Sequence, residues 1–227
     1  MSSEQQIWIV IPGFNEAEVI HDVVARVRAL YPRIVVVDDC SQDVTGERAR
    51  SAGATVLRHP MNLGQGAALQ TGIRYALEQG ATHIITFDAD GQHRVEDIDV
   101  LLRTQQETQA DIVFGSRFLG SATDIPPFRR MVLKTAVEFT ALTSGVRLTD
   151  AHNGLRLLTR RAAEAIRIRQ NRMAHASEII GKVGALRLRF AEAPVTIVYT
   201  KYSLSKGQKL SNAINILAEL FVARLHR

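Results

Sequence analysis

The sequence predicts an α/β protein with a mostly parallel central sheet and helices on both faces. Two observations predict it. Apolar, β-branched runs alternate with amphipathic helical stretches through the first half of the 227 residues. The unusual polar residues then fall just after those runs, where open α/β sheets bind ligands beyond the carboxyl ends of their strands.

The runs "IWIVI" (7–11), "RIVVVD" (33–38), "ATVLR" (54–58), "HIITFD" (83–88) and "DIVFG" (111–115) read as strands. Between them "EAEVIHDVVARVRAL", "DVTGERARSAG", "GQGAALQTGIRYALEQG" and "VEDIDVLLRTQQETQ" have helical spacing. Beyond residue 120 the alternation breaks down. "IPPFRRMVLKTAVEFTALTSG" reads as a loop entering a helix, "MAHASEIIGKVGAL" as a second helix, and "LRLRFAEAPVTIVYT" as two short strands around Pro194. An amphipathic helix over about 208–225 ends the chain. The expectation is one domain over 1–227, with the second half lining the same site as the first.

Charge divides the halves. Residues 1–115 carry 9 basic and 16 acidic side chains, net −7, whereas residues 116–227 carry 19 and 7, net +12. The first half is suited to cations and the second to anions such as phosphate or lipid head groups. A nucleic-acid partner is not expected: Trp8 and a thin scatter of Phe and Tyr leave little for base stacking, and no recognition module appears. The start "MSSEQQIWIVIPGFNE" lacks the basic lead of a signal peptide, and no stretch reaches the roughly 18–20 apolar residues of a membrane span. Cys40 stands alone, so no internal disulfide forms and a reducing cytoplasm is expected.

Four polar loops carry the chemistry: "PGFNE", "DDCSQD", "DADGQH" and "GSRFLG". "DDCSQD" puts four polar groups in six positions, more than the cap of the next helix needs, so Asp39 is read as a ligand for ribose hydroxyls. "NLGQGAALQTG" fails the dinucleotide fingerprint, which would need a glycine where Leu69 stands. Its helix start with free N–H groups at Gly64 and Gly66 can still approach a phosphate or sugar. In "DADGQH", two carboxylates one residue apart at a strand end repel each other unless a cation separates them. Asp88, Asp90 and the amide oxygen of Gln92 form an oxygen-only set suited to Mg²⁺ or Mn²⁺. His93 either joins that set or is a hydrogen-bonded loop residue.

The set "IPGFNE", "DDCSQDVT", "NLGQGAALQTG", "DADGQH" and "GSRF" resembles the nucleotide-sugar half of family-2 glycosyltransferases. The branch it is most similar to is the polyprenyl-phosphate sugar transferases, the group that includes dolichyl-phosphate mannose synthases. The resemblance runs from about residue 7 to 206 and implies a GT-A fold. It implies that Pro12, Phe14, Glu16 and Asp39 surround the base and ribose of a UDP- or GDP-sugar. It also implies that Asp88, Asp90 and Gln92 hold a divalent ion on the diphosphate. "TDAHNGLR" matches the branch at Asp150, Gly154 and Arg156, with Leu155 where an aromatic residue is usual. Ser205 and Lys206 match its Ser-Lys pair, while Lys201 stands near the place of an arginine.

The implied reaction is inverting transfer of the sugar to an acceptor. A polyprenyl phosphate needs no general base, because a phosphate's second pKa of about 6 leaves it ionised near neutrality. It needs cations, and Arg117, Arg129, Arg130, Arg156, Lys201 and Lys206 are the candidates. A hydroxyl of a glycan or glycolipid would instead need a carboxylate base, and Asp150 is the candidate, although "TD" also reads as a cap. A nucleotidyltransferase is disfavoured, because "PGFNE" is acidic where that class has a basic, glycine-rich loop. The terminal helix, with Leu210, Ile214, Leu217, Phe221 and Leu225 on one face, has three readings: peripheral contact with a membrane, packing on its own domain, or packing on a second subunit.

Overall fold

The structure is a computed structural model and describes residues 5–120, 145–151 and 153–198. The strands are β1 (Ile7–Gly13), β2 (Ile34–Asp38), β3 (Thr55–Arg58), β4 (His83–Thr86), β5 (Ile112–Ser116), β6 (Arg156–Thr159) and β7 (Phe190–Pro194). The helices are α1 (Ile20–Arg28), α2 (Thr45–Ser51), α3 (Gln65–Glu78), α4 (Asp97–Thr108), α5 (Arg160–Ala165) and α6 (His175–Ala185). All nine strands and helices expected through residue 115 are present. So are the helix expected over 173–186 and the first of the two strands around Pro194; past the proline, among the described residues, Ile197 makes an isolated bridge to His93.

The strands form one seven-stranded sheet in the order β3-β2-β1-β4-β6-β5-β7. Every neighbouring pair is parallel except those of β6, which runs antiparallel to both β4 and β5. Each central strand splits its apolar residues between two faces, as the two-residue alternation of a strand requires. From β1, Ile9 and Ile11 join a core with Val23 and Val27 of α1 and Ile98 and Leu101 of α4. Trp8 and Val10 face the opposite core, with Ile73 of α3 and Ile180 of α6. Helices on both faces explain why the strand sequences are apolar almost without interruption.

The direction of β6 matters for function. Because it is antiparallel, its first residue lies at the edge where β1, β2, β4 and β5 end. Residues 148–151 and 153–155 are therefore delivered to the same edge as the four polar loops. Sequence patterning missed this strand. It is only four residues long, with charged Arg156 at its head and Thr159 at its tail.

The amphipathic helix over 208–225, the loop-and-helix reading of 125–145, and the candidate cations Arg129, Arg130, Lys201 and Lys206 lie outside the described residues. No helix among the described residues is long and apolar enough to cross a membrane.

Candidate active site

The first two loops are tied to each other. Ser41 Oγ accepts the N–H of Asn15 at 3.0 Å, Asn15 Oδ1 accepts that of Gln42 at 2.8 Å, and Thr45 Oγ1 accepts that of Glu16 at 2.7 Å. Asp43 accepts from Ala17 N at 3.2 Å and from Thr45 N at 2.9 Å. The polar excess in "DDCSQD" thus serves chiefly to lock the β1 and β2 loops together, and α2 has no side-chain cap at its N-terminal Val44. Phe14 is 42 % exposed on this rim, an aromatic ring open to a ligand, while Pro12 and Glu16 are half-buried.

Asp39 is buried, and both oxygens of its carboxylate are engaged. Oδ1 accepts from Leu63 N at 2.9 Å and lies 2.7 Å from His59 Nδ1, and Oδ2 accepts from Gly64 N at 2.6 Å. The glycine-rich helix start differs from expectation. The N–H of Gly64 goes to Asp39, and those of Gly66 and Ala67 go to the carbonyl of Asn171 at 2.8 and 3.3 Å. A Cβ on Gly66 would lie 2.0 Å from the carbonyl oxygen of Gln170. The glycines here admit the segment 170–171, and the Gly66 N–H is not open to a phosphate.

At the end of β4 the expected pair, Asp88 and Asp90, is half-buried. Asp88 Oδ1 accepts from Gln65 Nε2 at 3.1 Å, and Oδ2 lies 3.0 Å from His93 Nε2. A carboxylate only accepts, so His93 carries its proton on Nε2. His93 is therefore the hydrogen-bonded loop residue, wedged edge-on against Phe87 with ring centroids 5.4 Å apart. Burial pushes the Asp88 carboxyl up, but the His93 bond and then the Arg156 charge outweigh it and hold it below its ordinary range. Asp90 moves the other way: burial, then the charge beside it on Asp88, push it up to about 6. Its Oδ1 accepts from Gln92 N at 3.0 Å, and the Gln92 carbonyl accepts from Val198 N at 2.9 Å, which fastens the loop to the chain beyond β7.

Gly154 and the buried Arg156 supply the floor. Gly154 sits so close to Asp88 that a Cβ would lie 2.1 Å from Oδ2, and its carbonyl accepts from Thr86 Oγ1 at 2.6 Å. Arg156 is 2 % exposed beneath this layer, its guanidinium 5.9 Å from the Phe114 ring centroid, with no hydrogen-bond partner at Nε or Nη1 among the described residues. Burial lowers it to about 10, against the opposing pull of Asp88 and then Asp150. It lies under the site instead of on an acceptor-facing surface. His175 beside it is lowered to about 4 by burial and then by the Arg156 charge, so its ring is neutral. Its Nδ1 lies 2.7 Å from the Arg172 carbonyl.

The candidate base and one candidate phosphate grip prove to be partners. Arg117 Nε donates to Asp150 Oδ2 at 2.6 Å, and Arg117 N donates to the same oxygen at 3.2 Å, with both residues buried. The structure therefore gathers Asp39, Asp88, Asp90, Gln92, Gly154 and Arg156 along one sheet edge. It adds Gln65, His59 and His175, which sequence reasoning had not singled out. "LRHP" and "MAHA" offered a lone histidine each, a pattern that more often marks a core residue.

Among the described residues no three His, Cys, Asp or Glu side chains form a ready-made metal cage. The donor set of two carboxylates and an amide nevertheless fits a hard divalent cation that keeps water or substrate oxygens as its other ligands. Burial and then the neighbouring Asp88 charge raise Asp90, so a positive charge between the two carboxylates would ease their ionisation together.

An α/β sheet with paired aspartates at the end of its fourth strand is the layout of a GT-A glycosyltransferase. The chain belongs to glycosyl transferase family 2, whose family model matches residues 8–167. It is 27 % identical to the UDP-N-acetylglucosamine–dolichyl-phosphate N-acetylglucosaminyltransferase of Methanococcus voltae, covering 98 % of each chain. To the undecaprenyl-phosphate mannosyltransferase of Micrococcus luteus it is 30 % identical, over 88 % of this chain and 87 % of that one. Glucosyl-3-phosphoglycerate synthase from Mycobacterium tuberculosis, solved with Mn²⁺, UDP and phosphoglyceric acid, shares the fold. Its TM-score is 0.72 at 16 % identity, over 96 % of this chain and 78 % of that one.

Proposed function

We propose that the protein transfers a sugar from a UDP- or GDP-sugar to a polyprenyl phosphate with the help of Mg²⁺ or Mn²⁺. The observation that carries this reading is the Asp88–Asp90 pair at the end of β4, with Asp90 pushed up to about 6 by burial and by its neighbour's charge. Such a pair is built for a cation. Relatives that use lipid-phosphate acceptors, matched along nearly the whole chain, support the acceptor class.

Asp88, Asp90 and Gln92 would hold the ion, which when bound supplies positive charge to the departing nucleoside diphosphate. The residues of the chain do the rest. Gln65 and His93 orient the Asp88 carboxylate, and the missing side chain at Gly154 leaves room for it. Arg156 and neutral His175 lie beneath, so a buried positive charge favours the ionised form of Asp88. Phe14 offers an aromatic face to the nucleotide base at the open rim. The phosphate acceptor arrives already ionised and attacks the anomeric carbon from the face opposite the diphosphate, which inverts it. No proton has to be removed.

The pairing of Asp150 with Arg117 favours this acceptor over a sugar hydroxyl. A general base must reach the proton it takes, and Asp150 is buried with its carboxylate engaged by Arg117. The grip on the acceptor phosphate then falls to Arg129, Arg130, Lys201 and Lys206. A contribution of the chain's end to contact with the membrane surface belongs to the same reading.

The test is a panel of UDP- and GDP-sugars incubated with the purified protein, with and without polyprenyl phosphate, in Mn²⁺ or in chelator. Lipid-linked sugar formed only with both polyprenyl phosphate and metal is the expected result. Transfer to a glycan hydroxyl, or full activity in chelator, would overturn the reading.

A further inference from the structure

We propose that His59, which follows the last residue of β3, is a positioning residue for donor binding, acting through Asp39 and the Leu63–Gly64 turn. The inference rests on the site reading above and goes beyond it by assigning a residue outside the sequence motifs. The geometry is a closed relay across four elements. Asp39 N donates to Gly13 O at the end of β1 at 2.9 Å, and His59 N donates to Asp38 O at the end of β2 at 2.9 Å. The His59 ring then spans from Asp39 Oδ1, 2.7 Å from Nδ1, to Thr71 Oγ1 on α3, 2.9 Å from Nε2. Both side chains of the His59–Asp39 pair are nearly out of solvent, at 9 % and 4 % exposure.

Chemistry fixes the direction of these bonds. A carboxylate only accepts, so Nδ1 carries the proton shared with Asp39, and in the neutral ring Nε2 accepts from the Thr71 hydroxyl. Asp39 has about four lone-pair positions. Oδ1 uses two, on His59 and Leu63 N, and Oδ2 uses one on Gly64 N. His59 thereby sets the rotation of the carboxylate, and the carboxylate in turn holds the two N–H groups of the turn that opens α3. Asn62 Nδ2 closes the loop onto Asp39 O at 3.3 Å. A wrong rotation of Asp39 would release the turn beside the donor pocket, and the pair Asp88 and Asp90 would feel it only through Gln65, the residue after Gly64, whose amide holds Asp88 Oδ1.

The variants His59→Asn and His59→Gln separate this role from simple packing. The Asn amide can donate toward Asp39 as Nδ1 does, whereas the Gln amide reaches only toward Thr71. Binding of UDP and GDP is measured by calorimetry, together with steady-state kinetics in the nucleotide-sugar. His59→Gln should raise Kd and KM by about tenfold, the worth of one lost charge-assisted hydrogen bond, with a smaller change in kcat at saturation. His59→Asn should restore most of the affinity. Equal behaviour of Asn and Gln, or a loss in kcat alone, would overturn the assignment. Thr71→Val gives a second measurement: it leaves Asp39 its partner and should weaken donor binding less than His59→Gln. Wild-type protein that binds neither nucleotide would overturn the site reading itself, a result distinct from variants that bind as wild type does.

Discussion

Gly154 and Asp88 are in contact across two segments 66 positions apart: a Cβ at 154 would fall 2.1 Å from Asp88 Oδ2 and 2.6 Å from Oδ1. The antiparallel β6 creates this contact, because it brings the chain before Arg156 back to the edge where β4 ends. The carboxylate cannot step aside freely, since Gln65 and His93 hold one oxygen each. Gly154→Ala should therefore rotate Asp88 out of both bonds. Transfer should fall by about 100-fold, while overpacking costs about 1–3 kcal/mol of stability. Activity and urea denaturation measured side by side check this. An active Gly154→Ala protein would show that Asp88 has slack.

Asp90 gives a prediction about pH. Its carboxyl is raised to about 6, by burial first and then by Asp88. The native state holds this proton more tightly than the unfolded chain, so the group favours the fold below about pH 4. That contribution is lost as pH rises through 6. In metal-free protein, Asp90→Asn cannot ionise and should gain on wild type by about 1–2 kcal/mol between pH 4 and 7.5, after discounting for partial exposure. Mn²⁺ should raise the wild-type melting temperature at pH 7.5, much less at pH 5, and leave Asp90→Asn unchanged. A wild-type-to-variant difference that stays flat with pH would count against the charged pair.

The Arg117–Asp150 pair predicts how a mutant can mislead. Both partners are buried, and Asp150 Oδ2 receives two N–H groups of Arg117. Arg117→Ala should cost about 3–5 kcal/mol by taking the guanidinium away from a buried carboxylate that keeps the backbone N–H, and lost transfer will then follow lost folding. Combining Arg117→Met with Asp150→Leu should recover part of that stability. Denaturant midpoints of the two single variants and the double variant decide it. An Arg117→Ala protein as stable as wild type but unable to use lipid phosphate would return Arg117 to the acceptor.

The legible part of the sequence was the part governed by periodicity and by charge in the wrong place. Unbroken apolar runs gave the strands through β5, and "DADGQH" was conspicuous because two close carboxylates call for a cation. β6 was invisible because its first residue is a fully buried arginine, which patterning reads as surface. The N–H groups of Gly64 and Gly66 looked available because their acceptors lie far along the chain, on Asp39 and Asn171. Asp150 read as a base or a cap for the same reason: Arg117 is 33 positions away. Local signals locate reactive groups, and the long-range partner decides what each is free to do.

Arg156 yields the last prediction. It is 2 % exposed, lowered to about 10 by burial, and bare of partners at Nε and Nη1, so it brings a large desolvation cost and few bonds to offset it. Stability alone does not account for a cation there. Its charge does act on Asp88, together with the His93 bond, in holding that carboxyl ionised. Arg156→Met keeps most of the volume and the contact with Phe114 while removing the charge. Stability should change by no more than about 1 kcal/mol, since the lost attraction and the relieved desolvation offset each other. Transfer should fall by about tenfold or more, and Mn²⁺ should bind more weakly, because Asp88 ionises less readily. Thermal melting, metal titration and transfer rates on one preparation separate the outcomes. A variant that melts far earlier yet retains its specific activity would make Arg156 a packing residue and leave Asp88 to His93 alone.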